Sequence, residues 1–474
     1  MAEPGLRRTL NVWSAVGMSL ALMGPSAAVN INPQASAAVA GRAVPLTFLL
    51  ATIGVLLIAH TFVRLSQRFS DSGSVYAFVG VTLGPRSGIV AGWLTAATYV
   101  FFGVVMSTVG GIFLTDLFRK SLGADALPDW SAFVLAWLIL AAMWWLAIRD
   151  VRGGTTVLLV TEAVTVTLIL VVVAVTLIKL AAGDAAHGKH LDMAVFSVAP
   201  GTSGSNLFLG VVFGFLSFAG FEAAATLGEE SARPHRDIPR AILGTAVLGG
   251  VFFVAVTAIA MMAFGTDSAG VAAFTNSPVL VGELAQRYVA GWVADVIILG
   301  AVFSSGACCL ACLVGASRLI YALSRDGMGP AVLATLHPVR AVPYVAATVC
   351  AIVAAASQAV GWWVLHARPF EVFTIAGGAG TLILLVAYGM ACVGAVRLLF
   401  RDGAVRNWEV AIPILGLGLL TYTLYRNVVP WPQGNAQWGP GLAIAVLCAV
   451  VLAVGTRPTV REPKPGRRPS SAPQ

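Results

Sequence analysis

Two short stretches place chemically capable residues inside apolar surroundings. LMGPSAAVN (Leu22–Asn30) puts Gly24 and Pro25 in one apolar run, and SFAGFE (Ser217–Glu222) puts Gly220 and a carboxylate in another. A helix broken inside a bilayer leaves backbone amides and carbonyls without partners, which is costly unless protein, ligand or ion satisfies them. Around Gly24, Ser26 and Ala27 the freed amides open the next half-helix, carry positive partial charge and suit a carboxylate, with the Ser26 hydroxyl as a further donor. Around Phe218–Phe221 the freed carbonyls suit an ammonium group, with Phe218 or Phe221 covering the ligand. Each stretch has a plainer reading, a proline kink at Pro25 and small-residue packing at Gly220. Glu222 is expensive in hydrocarbon, so it is expected to face an aqueous path or a partner. Its alternatives are a proton carrier and a hydrogen bond that holds the broken helix.

The elements that must position these residues are membrane helices. Of 474 residues, 58% are hydrophobic and 11% charged, against roughly 45–50% and about 25% in soluble domains. Twelve apolar runs, each long enough to span, lie near 12–38, 44–63, 86–117, 130–148, 154–180, 206–228, 240–265, 290–323, 342–364, 370–396, 408–426 and 439–456. With the N-terminus inside, 21 of the 29 Lys and Arg fall on the inner side, so the reading is about twelve spans with both termini cytoplasmic. The net charge of +8 therefore marks topology and not nucleic-acid binding. The two breaks are five helices apart, and an odd repeat length places its copies in opposite orientations, as in inverted-repeat transporters. The expected parts are an N-terminal tail (1–11), a core (12–400) of two five-helix repeats (12–180 and 206–397), two further helices (401–456) and a Pro-rich basic tail (457–474).

At this point a family resemblance is plain. FAGFEAAATLGEESARPHRDIPRAI (Phe218–Ile242) resembles the sixth-helix signature of the amino acid–polyamine–organocation permeases. SGSVYAFVGVTLGPRSGIVAGW (Ser72–Trp93) and GAVFSSGACCLACLVGASRLIYALSRDGMGP (Gly300–Pro330) resemble the family's second-to-third helix region and its eighth helix. The resemblance implies an all-α fold with the LeuT-type five-plus-five inverted repeat and broken helices one and six. It implies a substrate carboxylate on Gly24, Ser26 and Ala27, the substrate enclosed by Phe218, Gly220 and Phe221, and coupling through Glu222. Ser304 and Ser305 resemble hydroxyls of an ion site, with helix packing as the alternative. Proton-coupled members place a lysine in helix five. Here Glu162 is the one charge between Gly153 and Ile178, either a proton carrier or an end-of-helix carboxylate near Arg149 or Arg152. Glu229, Glu230, Arg233 and Arg236 suit a cytoplasmic gate, which Arg318 and Asp326 join by analogy, or a solvated helix end. Two departures stand out: Arg64 in FVRL replaces a common Glu, and GPSAA replaces G-S-G-I-F.

The expected activity is secondary transport of an amino acid across the plasma membrane, with an amine or polyamine as the alternative cargo and a proton or sodium as coupling ion. A transporter-derived sensor lacks a sizeable soluble domain here, and an enzyme lacks a catalytic cluster. No cofactor or metal is expected: the GxxxxGK[ST] phosphate loop is missing, and the cysteines Cys308, Cys309 and Cys312 lack a zinc-type partner set.

Overall fold

The computed structural model describes residues 12–68, 75–123, 127–149, 154–200, 202–224, 233–402 and 407–456. Among these, the chain is helical and has no strand. In order, the helices are α1 (Val12–Met23), α2 (Pro25–Ala40), α3 (Val44–Arg68), α4 (Val75–Leu83), α5 (Pro85–Leu122), α6 (Ser131–Ala147), α7 (Gly154–Ala182) and α8 (Leu207–Phe218). They continue with α9 (Pro234–Phe264), α10 (Ser268–Asn276), α11 (Leu280–Tyr288), α12 (Gly291–Arg325), α13 (Tyr344–Trp363), α14 (Pro369–Asp402), α15 (Ala411–Val428) and α16 (Trp438–Gly455).

The described part of each apolar run falls on one of these helices, on the broken pair α1 and α2, or, for the sixth run, on α8 and the turn that follows it. Nine helices among the described residues are long and apolar enough to cross a membrane. The difference from twelve has local causes. Gly24 splits the first run into α1 and α2, and α2 continues through a 3-10 turn at Gly41–Ala43 into α3. The sixth run stops as a helix at Phe218, and α6 has only 17 residues. The charged segment 225–232, which includes Glu229 and Glu230, lies outside the described residues, as do the two tails.

α5, α12 and α14 form the interior of the bundle, while α3 and α9 cover α1, α2 and α8. The exposed side chains of α7, such as Val160, Val164, Leu170 and Ile178, form the apolar outer face that lipid requires of a spanning helix. Small residues set how closely the helices approach. A Cβ on Gly300 of α12 would lie 2.0 Å from Thr165 Oγ1 of α7. This glycine lets α7 press against α12 at the level of Glu162.

Candidate functional site

The first break is one residue long. Gly24 has φ +53°, left-handed backbone that glycine adopts without penalty, and Pro25 then starts α2 at the position where a missing N–H costs nothing. The freed amides are both satisfied by side chains from distant helices. Ser26 N–H donates to Glu162 Oε1 at 2.9 Å, and Ala27 N–H donates to Ser304 Oγ at 3.3 Å. The Ser26 hydroxyl is fully buried and faces the same carboxylate but makes no well-formed hydrogen bond. On the α1 side, Cys308 Sγ donates to Leu22 O at 2.9 Å.

The second break follows α8. Gly220 has φ +102°, and a Cβ there would lie 2.7 Å from Leu22 Cγ, so the two breaks meet directly. Ser19 of α1 joins them: its hydroxyl donates to Phe221 O at 3.1 Å and accepts from Ala224 N–H at 3.1 Å. Phe221 forms an edge-on triangle with Phe62 (6.1 Å) and Tyr388 (5.8 Å), and Phe62 and Tyr388 are 5.7 Å apart. Glu222 is 7% exposed and lies beside the Tyr388 hydroxyl and near Tyr99. Its Oε2 has no hydrogen-bond partner among the described residues. Phe218 packs edge-on against Phe253 of α9, at 5.4 Å.

The structure thus brings Gly24, Ser26, Ala27, Gly220, Phe221, Glu222, Glu162 and Ser304 to one level of the bundle. Ser305 points elsewhere: its hydroxyl donates to Val302 O, and its side chain faces Gly110 of α5. Glu162 is 9% exposed and has no Lys, Arg or His partner among the described residues. Arg149 lies over the Trp145 ring at 3.9 Å, and Arg152 is outside the described residues. Of the charged residues expected at a gate, Arg233 is 3.7 Å from Asp237, and Asp326 pairs with its neighbour Arg325 at 3.2 Å. Arg236 and Arg318 are exposed.

Several participants carried no mark of their own in the sequence. Ser19, Phe62, Tyr99 and Tyr388 are ordinary residues in apolar runs. The polar series Asn30, Asn32 and Gln34 in α2 was a readable signal, because all three are fully buried. Asn30 donates to Ser26 O (2.8 Å) and accepts from Val281 N–H (2.8 Å), which ties the first break to α11. Asn32 donates to Ser217 Oγ at 2.7 Å, linking α2 to α8.

At the face where α2 ends and α16 begins, a cavity of about 900 Å³ descends between α2, α5, α8 and α14. Asp116, Arg119, Asp129, Arg368 and Glu371 line its walls, and Val212, Phe213 and Leu382 line its apolar depth.

Comparison with known proteins adds to this geometry. The model of a family described as amino acid permease matches residues 10–454. The chain is 26% identical over 363 residues to the branched-chain amino acid permease BcaP of Bacillus subtilis, covering 73% of each protein. It is 27% identical over 330 residues to the low-affinity putrescine importer PlaP of Escherichia coli K12, covering 69% of this chain and 68% of that protein. It is also 27% identical over 443 residues to the uncharacterized transporter Rv1999c of Mycobacterium tuberculosis, covering 92% and 90%.

Proposed function

We propose, from the premise that this chain belongs to the amino acid permease family, that it is a secondary transporter carrying an amino acid across the plasma membrane by alternating access. The observation that carries this reading is the meeting of the two helix breaks through Ser19 and through Leu22 against Gly220. Broken backbone at the centre of a bundle needs polar partners, and a substrate with one carboxylate and one ammonium supplies both kinds. The carboxylate binds at the amides and hydroxyl of Ser26 and the Ala27 amide, and the ammonium binds near the carbonyls around Gly220. Phe218 and Phe221 enclose the side chain. The cavity between α2, α5, α8 and α14 is the approach route.

The core comprises two inverted five-helix repeats, 12–180 and 206–397, within a twelve-span chain whose termini are cytoplasmic. Glu222, buried against Tyr388 with an unpartnered oxygen, couples transport to protonation or to helix movement. Glu162 is the second candidate proton carrier, and Ser304 the hydroxyl of a candidate sodium site, without Ser305, which faces α5. Arg233, Arg236, Arg318 and Asp326, together with Glu229 and Glu230, close the cytoplasmic end.

A second reading, an amine or polyamine carrier, is favoured by two observations. One relative is a putrescine importer by name, and two buried carboxylates, Glu162 and Glu222, flank the breaks without a cationic partner among the described residues. Proteoliposomes offered labelled amino acids and amines, with and without proton or sodium gradients, test both. Gradient-driven accumulation or exchange of an amino acid supports the first reading, and of an amine alone the second. Failure to move any such solute sinks both.

A further inference from the structure

Ser26 N–H and Ala27 N–H are the donors expected to receive a substrate carboxylate, and a carboxylate already occupies the first, with a serine hydroxyl on the second. Glu162 Oε1 accepts from Ser26 N–H at 2.9 Å, and Ser304 Oγ, within reach of the same carboxylate, accepts from Ala27 N–H at 3.3 Å. The positive end of α2 and these hydrogen bonds are the groups that favour an ionised Glu162, and no cationic side chain among the described residues pairs with it. The arrangement is built in: Gly300 admits Thr165 and so brings α7 close enough for Glu162 to reach the break. Independently, the Ser26 hydroxyl is fully buried, faces this carboxylate and lacks a well-formed hydrogen bond, so the cradle retains an unused donor.

We propose that Glu162 is a tethered occupant of the carboxylate cradle, competing with the substrate's own carboxylate for the Ser26 amide. An ionised Glu162 and a substrate carboxylate cannot share the Ser26 amide in a medium of low dielectric without strong repulsion. A carboxylate-bearing substrate therefore binds only as Glu162 leaves, whereas an amine without a carboxylate binds while Glu162 stays. Glu162 is thus a specificity-determining residue that sets the preference between the two classes, a role separate from carrying a proton. This inference rests on the placement of the substrate at the first break, as proposed above.

The test uses purified full-length protein and two matched pairs that differ by the carboxylate: leucine with isoamylamine, and ornithine with putrescine. Dissociation constants are measured by calorimetry for wild type, Glu162→Ala, Glu162→Gln and Glu162→Asp. Loss of a charge-assisted competitor is expected to tighten binding of each acid by about tenfold while its decarboxylated partner is unchanged or weakened. Glu162→Gln, close in shape and neutral, moves in the same direction by less, and serves where Glu162→Ala does not fold by thermal melting and size exclusion. Glu162→Asp keeps the charge and returns the preference toward wild type. Equal changes for both members of a pair, or weaker binding of the acids in Glu162→Ala and Glu162→Gln, overturn the competition even if wild type binds amino acids. If wild type binds no acid and the neutral variants do, the competition stands and the amino acid reading of the wild type falls. If no protein binds either acid, the competition is overturned.

Discussion

At the scale of single residues, the site depends on side chains that satisfy broken backbone. Ser19 is the clearest case, with one hydroxyl serving a carbonyl and an amide of the second break. Ser19→Ala leaves both groups buried without that partner, at an expected cost of about 1–3 kcal/mol, visible as a lower melting temperature with substrate affinity reduced in parallel. Glu222 makes a different demand. Glu222→Gln keeps the shape beside Tyr388 but cannot ionise, so gradient-driven uptake is expected to fall more than tenfold while the melting temperature stays near that of wild type. Uptake that remains driven by a proton gradient in this variant would remove Glu222 from coupling. The breaks themselves were legible because Gly24, Pro25 and Gly220 interrupt apolar runs. Tyr388 and Ser19 were not, since an aromatic or small hydroxyl residue in an apolar run carries no mark until tertiary packing selects it.

Elements explain why Glu162 reaches a break 136 residues away in sequence. The register between α7 and α12 is set where Gly300 accepts Thr165, and such a contact between distant segments leaves no local periodicity to read. Gly300→Ala forces a Cβ into Thr165, whose Oγ1 is 2.0 Å away, and overpacking of this kind costs about 1–3 kcal/mol. Thr165→Ala on the same background is expected to recover most of the lost melting temperature, and a double-mutant cycle measures the coupling. A second element prediction concerns the segment between α7 and α8. It is tied to the ends of α2 and α9 by Arg42 with Ser197 (3.1 Å), Lys189 with Asp267 (3.2 Å) and Thr266 with Asp192. The Thr266 hydroxyl, and then the Ala194 amide, hold the Asp192 carboxyl below the usual aspartate range. A depressed native value contributes stability above about pH 4 and loses it as pH falls through that lower value. Amide exchange across 189–197, corrected for intrinsic rates, is expected to rise below that point and stay flat from neutral pH down to it, with Asp192→Asn removing the step.

The whole molecule places its cavity on one face, where α2 ends and α16 begins. The helices that build it were readable from composition and apolar run length, because lipid contact imposes that pattern on every spanning helix. The side on which the bundle is open depends on the packing of α2, α5, α8 and α14, which no single run specifies. Cysteines at Asn276 and Thr374, both lining the cavity, are expected to react with a membrane-impermeant thiol reagent applied from that face only. A substrate that binds at the breaks should slow the reaction at least twofold if it closes the approach. Labelling from the opposite face would show that this cavity is not the approach route.

The depth of the cavity carries one last consequence. Phe213 of the cavity lining and Leu216 of α8, Val105 of α5 and Gly377 of α14 meet there, and a Cβ on Gly377 would lie only 2.9 Å from Leu216 Cδ2 and 3.7 Å from Val105 Cγ2. Leu216 is two residues from the end of α8, so this packing lies next to the second break in the chain. Closure at this depth is therefore a contact between α8 and α14 that has no room for a methyl group at Gly377, and whatever shifts Leu216 shifts the chain entering the second break.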